Sequence, residues 1–314
     1  MRVREILNKQ LHRFQREGLA RHIFQLATGT VFGQAAALLA LPVISRLYRP
    51  EDYGEFVIFS AVVQIGVVLA AGRYDLAILL PKRDAVAAPT AVTAVGMTIL
   101  TSVLLGLLAI SLMGTGSIDG NLPVIEYAYL IVFAIFAISL SRIFQSWLTR
   151  RKRFKNVAWM RIQQLVGAAV LQIFFGVVWG GSASGLFIGF VLSLAIAGFA
   201  GALMVYRSGF PLEWAGSSWS ISCKKITEVA KRYRQFPVFT VPAGLLNSFA
   251  MQSLPLVSAI FFPAAAVGHL GMAQRVGNAP TQLLAQSIGQ VVIQHLAENL
   301  SHGRSNVDIV VRIV

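Results

Sequence analysis

Long apolar stretches alternate with short gaps along this chain, and Lys and Arg crowd into every second gap. The Lys and Arg counts are six in residues 1–22, two in 46–53, two in 81–87 and none in 114–123. They continue as five in 148–155, none in 180–184, six in 207–236, none in 262–267 and two beyond residue 300. Short basic loops stay in the cytoplasm and basic-poor loops cross. The pattern therefore predicts a multi-pass membrane protein with both termini cytoplasmic. Arg46 and Arg49, the basic residues in an outward gap, are offset by Glu51, Asp52 and Glu55.

A membrane-spanning helix needs roughly 20 mostly apolar residues. Eight segments qualify: 23–47, 54–80, 88–113, 124–147, 156–179, 185–206, 238–262 and 267–292. Helix is the expected element throughout, because lipid forces each segment to satisfy its own backbone groups. The fold class is thus all-α and polytopic, with about eight transmembrane helices. Residues 1–22 carry Val3, Ile6, Leu7, Leu11 and Phe14 among basic residues, the pattern of an amphipathic surface helix or of a basic tail. A net charge of +14 would suggest nucleic acid in a soluble protein. Here the positive residues lie at helix ends, so topology and anionic headgroups account for them and no nucleic-acid partner is expected.

An internal repeat divides the chain. Pro42-x2-Ser45-x4-Pro50-x3-Gly54 near the first outward gap matches Pro255-x2-Ser258-x4-Pro263-x4-Gly268 near the last. The match puts helix 7 on helix 1 and helix 8 on helix 2, so the repeat unit is six helices with both halves in the same orientation. Four parts follow: the segment 1–22, a six-helix lobe over 23–206, a basic cytoplasmic connection over 207–236, and a second lobe over 237–314. That second lobe holds only two helices, so the sequence reads as C-terminally truncated.

The ordered set of motifs resembles a family. Leu26-Ala-Thr-Gly-Thr-Val-Phe-Gly-Gln34 and Leu47-Tyr-Arg-Pro-Glu-Asp-Tyr-Gly-Glu-Phe56 are similar to the first hairpin of bacterial polysaccharide-biosynthesis and O-antigen flippases. Gly72-Arg-Tyr-Asp-Leu-Ala-Ile-Leu-Leu80 resembles the end of their second helix. Phe236-Pro-Val-Phe, Pro242, Leu246-Asn-Ser, Phe262-Pro, Val267-Gly-His-Leu and Ala273-Gln-Arg-Val276 are similar to their seventh and eighth helices. These proteins belong to the multidrug/oligosaccharidyl-lipid/polysaccharide exporter superfamily. The resemblance implies two six-helix lobes around a cavity in the bacterial inner membrane. It implies transport of undecaprenyl-diphosphate-linked oligosaccharide for surface polysaccharide and lipopolysaccharide, beside the polysaccharide polymerase machinery.

Charged residues inside spans are costly and usually face a cavity or a partner. Five stand out: Arg73, Asp75, Arg142, Arg161 and Arg275. Guanidinium suits a diphosphate because its planar fork binds phosphate oxygens in pairs and stays charged. Arg73, Arg142 and Arg275 are the candidate diphosphate ligands, with snorkelling to the surface the alternative for Arg142, while Arg161 lies near enough to Lys155 to snorkel. Arg73 and Asp75, two residues apart on one helix, would point to different faces and not pair. Asp75 is the candidate coupling group, with a salt bridge to another helix as the alternative. Gln34, Asn247, Gln252 and Gln274 are candidate sugar contacts, since amides both donate and accept; interhelical bonding is the alternative for each. Gly29-x3-Gly33 and Gly185-x3-Gly189 predict close helix packing.

The chain has no Gly-x4-Gly-Lys-[Ser/Thr], His-Glu-x2-His, Gly-x-Ser-x-Gly or Cys-x2-Cys motif. An ATP motor, a metal site and a cofactor are therefore not expected, and neither is an enzyme. Two alternatives stand beside transport of a lipid-linked oligosaccharide. A drug/cation antiporter of the same superfamily would favour acidic cavity residues, against the Arg excess here. A membrane enzyme acting on polyprenyl-linked sugars would need an acidic or His-containing loop in water.

Overall fold

The computed structural model describes residues 31–81, 84–114, 127–209 and 219–278, and these are helical with no strand among them. The helices are α1 (Val31–Leu47), α2 (Pro50–Ala70), α3 (Tyr74–Ala77), α4 (Asp84–Gly114), α5 (Ala128–Arg150) and α6 (Phe154–Val178). They continue as α7 (Ala183–Arg207), α8 (Trp219–Arg232), α9 (Val241–Phe261) and α10 (264–278). Among the described residues six helices are long and apolar enough to cross a membrane, so this is a multi-pass membrane protein. The first and eighth expected spans are described only from Val31 and as far as residue 278. The segment 1–22 lies outside the described residues.

Two boundaries differ from expectation for visible reasons. The second span, expected over 54–80, stops at Ala70, because Gly72 and Arg73 both take left-handed backbone (φ 55° and 58°). The connection 207–236 holds a helix of its own, α8, which packs against α4. Lys224, Lys225, Lys231 and Arg232 share this helix with apolar Ile226 and the buried Val229. A wider π-type turn over Phe236–Thr240 leads into α9. It contains Pro237 and is followed closely by Pro242, and neither has the N–H needed to continue a regular helical ladder.

The first bundle is built around α7, which touches α2, α5 and α6. Small residues set how closely these helices approach. A β-carbon on Gly189 would stand 2.8 Å from the backbone nitrogen of Gln172, so α6 and α7 meet backbone to backbone, as the Gly185-x3-Gly189 spacing predicts. Gly29 lies outside the described residues; Gly33 faces Leu165 at 2.9 Å on the same measure. Tyr48 seats its ring in the notch left by Gly176 and Gly185, and its hydroxyl donates to the Gln172 carbonyl at 2.6 Å. Burial pushes the Tyr48 phenol up to about 12, with Asp52 adding to the effect, so it stays a donor. Gln172 in turn donates to the Leu186 carbonyl at 3.2 Å, joining α6 to α7. An aromatic core from α2 and α7 fills the centre, with Phe59 and Phe187 edge to face at 4.9 Å.

The bundle has two chemically different ends. Arg150, Arg151, Lys152, Arg153, Lys155 and Arg207 gather at one, where Arg150 and Arg151 pair with Asp84 at 3.0 and 3.2 Å. The other end carries the Pro50 and Pro263 turns and Gly180–Gly181. There the two repeated hairpins meet. A β-carbon on Gly54 would overlap the Ala264 carbonyl oxygen, and one on Gly268 would overlap the Pro50 carbonyl oxygen. Each glycine thus presses on the residue four before its counterpart, the reciprocal contact of an approximate two-fold axis between α2 and α10. The symmetry does not extend to burial. Along α1 and just after it, Ala37, Leu41, Ile44 and Tyr48 are buried, whereas the equivalents in α9, Ala250, Leu254, Val257 and Phe261, are not.

Candidate functional site

The left-handed pair Gly72–Arg73 decides the site. A non-glycine residue in this conformation costs about 1–2 kcal/mol, and here it ends α2 and starts the short α3. Thr101 on α4 donates to the Ala70 carbonyl at 2.8 Å, satisfying one of the acceptors left at the end of α2. The turn carries Asp75 inward, where only 6% of it is exposed. One oxygen of its carboxylate, Oδ1, has no hydrogen-bond partner, while the carboxylate accepts from the backbone N–H of Leu76.

Arg142 reaches the same place from α5. Asp75 interacts electrostatically with Arg142 and more weakly with Arg73, and Arg142 interacts with both. None of the three closes to salt-bridge distance with another, in line with the expectation that Arg73 and Asp75 do not pair. The cluster is two cations around one carboxylate, so a positive charge is left over. Arg73 also reaches α9. Its guanidinium lies against α9, with Nη2 2.5 Å and Cζ 3.1 Å from the place a β-carbon on Gly244 would take. Its Nε is buried without a hydrogen-bond partner.

Arg275 is elsewhere. Its Nη1 donates to the Tyr53 hydroxyl at 3.0 Å, linking α10 to α2 at the Pro50 end. The side chain reaches back toward Gly268 because helical side chains lean toward the N-terminus. Tyr53 and the end of α2 are about 25 Å apart along the helix axis, so Arg275 and Arg73 do not face one small ligand together. Among the amides, Asn247 is exposed on α9 one turn beyond Gly244, the nearest of them to Arg73 in register. Gln252 on α9, Gln274 on α10 and Gln34 on α1 are half-buried on separate stretches. Arg161 is exposed on the surface of α6.

Three contacts are not legible as site features in the sequence. Gly244 and Tyr53 lie within stretches that carry the family resemblance, but nothing in those stretches pairs them with Arg73 or Arg275. Gly54 and Gly268 mark the repeat, but the repeat alone does not say that its two copies touch. Among the described residues no group of three His, Cys, Asp or Glu could hold a metal ion.

The arrangement is therefore a buried carboxylate between two half-buried guanidiniums, where the ends of α2 and α3 meet α5 and α9. Neither the curated proteins nor the solved structures compared with the chain gave a match. A family described as polysaccharide biosynthesis protein matches residues 43–306, from the end of α1 through the last described helix, and the chain belongs to that family.

Proposed function

We propose that this protein moves undecaprenyl-diphosphate-linked oligosaccharide from the inner to the outer leaflet of the bacterial plasma membrane. It acts by alternating access, as a flippase of surface polysaccharide, O-antigen and lipopolysaccharide assembly, and not as an enzyme. The observation that carries this reading is the Arg73–Asp75–Arg142 cluster, whose spare positive charge lies between the halves of a polysaccharide-biosynthesis protein. A diphosphate is the one part of such a substrate that lipid strongly excludes, and forked guanidinium donors offset that exclusion. Asn247, one turn further along α9, is positioned for the first sugar, while the polyprenyl tail stays in lipid. The basic end of the bundle is cytoplasmic by the rule that governs short loops. Energy comes from an ion gradient or the membrane potential, which supplies about 2.3 kcal/mol per charge moved across 100 mV, with Asp75 as the coupling group.

The test is complementation in a bacterium lacking its own polysaccharide flippase. Surface polysaccharide should return with this protein, and Arg142→Ala should remove most of it at equal membrane expression. Full activity in Arg142→Ala would overturn the assignment of the cluster. Failure to restore any of several glycan types by well-inserted protein would overturn the flippase reading. A cation antiporter is disfavoured by the same cluster, since two guanidiniums repel a cationic drug.

A further inference from the structure

Gly244 is the one residue of α9 whose missing side chain makes room for a charged group of the first bundle. A β-carbon there would come within 2.5 Å of Arg73 Nη2, 3.1 Å of its Cζ and 3.0 Å of Val68 Cγ1. Distances under 3.0 Å between a β-carbon and another heavy atom force one partner to move. The atoms met are the far end of the Arg73 side chain, so the guanidinium, not the backbone, is what shifts. The Arg73 backbone is fixed in the left-handed region between two helices, and its Nε is enclosed without a partner. A methyl group at 244 would therefore act on the guanidinium.

The guanidinium is the group that matters for an anion. Arg73 is held within electrostatic reach of Asp75 and Arg142. Its forked donors are useful only if their plane and position are kept, because paired contacts to phosphate oxygens depend on both. The bare Cα of Gly244 forms the floor on which that plane rests.

We propose that Gly244 is a positioning residue for the lipid-linked diphosphate: it seats the Arg73 guanidinium so that the anion site is completed only where α9 lies against α2. This deepens the transport reading above and rests on it. The consequence is an energetic coupling between position 244 and Arg73 that is specific to the anion. A glycine needed only for close α2–α9 packing would show no such dependence on Arg73.

The experiment measures binding of undecaprenyl diphosphate to the full chain in phosphatidylcholine nanodiscs, for the wild type, Gly244→Ala, Arg73→Ala and the double variant. Size-exclusion profile and thermal midpoint are recorded alongside for each variant. Losing the paired contact should weaken binding about tenfold in each single variant, the scale of one charge-assisted hydrogen bond. The double variant should be no weaker than Arg73→Ala alone. Undecaprenol, which lacks the phosphates, should show no difference between glycine and alanine at 244. Wild-type affinity in Gly244→Ala, or independent losses that multiply in the double variant, would overturn the positioning role while leaving the transport reading intact. No binding by the wild type would instead overturn the transport reading beneath it.

Discussion

Replacing Gly54 by leucine should part α2 from α10 and abolish cross-linking between cysteines placed at Val57 and Gly271. At Gly54 the two helices meet backbone to backbone, since a β-carbon there would overlap the Ala264 carbonyl oxygen. Adding bulk to a packed site costs about 1–3 kcal/mol when side chains can rearrange. Here the obstruction is backbone, so the helices themselves must separate and the upper end of that range or beyond is expected. Gly268→Leu should do the same, because its own β-carbon would overlap the Pro50 carbonyl oxygen. The reporter pair suits the geometry. A β-carbon on Gly271 stands 3.3 Å from Val57 Cβ, close to the roughly 3.5–4.5 Å found across disulfides. In a Cys223→Ser background the pair should oxidise readily with Gly54 present and fail once Gly54→Leu is introduced. Unchanged cross-linking would mean that the reciprocal crossing is not what holds the two hairpins together.

The second large effect should follow from Arg150→Ala. The Arg150 side chain is 10% exposed and donates to Asp84 at 3.0 and 3.1 Å, and its Nη1 also reaches the carbonyls of Ile78 and Pro81. It therefore ties the end of α5 to the start of α4 and closes the carbonyl end of α3, the short helix that carries Asp75. Breaking a fully buried pair costs about 3–5 kcal/mol. Asp84 is 43% exposed and keeps Arg151 at 3.2 Å, so water and the second arginine offset part of that loss. A destabilisation of about 2–3 kcal/mol remains, largely from the abandoned carbonyls. Asp84→Asn should cost less than Arg150→Ala, because Arg150 keeps its carbonyl partners. Denaturant unfolding in detergent would rank the two, and the reverse order would contradict this reading of the contact.

Helices are legible in the sequence because lipid leaves the backbone few options: long apolar runs must satisfy their own hydrogen bonds. The repeat is equally legible, through Pro42, Pro50 and Gly54 against Pro255, Pro263 and Gly268. Its meaning is not, since sequence similarity carries no information on whether two copies face each other. The candidate site is half legible. Rarity of charge in spans points to Arg73, Asp75 and Arg142, and these three do come within electrostatic reach. Their arrangement depends on two left-handed residues, one of them an arginine, which no periodicity reports. Depth along a helix places Arg275 inside a span, but its length lets it reach Tyr53 at the far end. The amphipathic α8 is hidden for a simpler reason: a cluster of basic residues between spans gives the same topological signal whether or not it lies on a helix face.

The most direct measurement of the central claim is translocation in purified proteoliposomes. Vesicles would carry undecaprenyl-diphosphate-linked oligosaccharide in both leaflets, and a membrane-impermeant glycosidase would report which molecules reach the outside. With this protein present and an ion gradient or potential imposed, the inner-leaflet pool should become cleavable, and Arg73→Ala with Arg142→Ala should leave it protected. An inner pool that stays protected in vesicles containing folded wild-type protein, across several glycans and both gradient directions, would contradict the account.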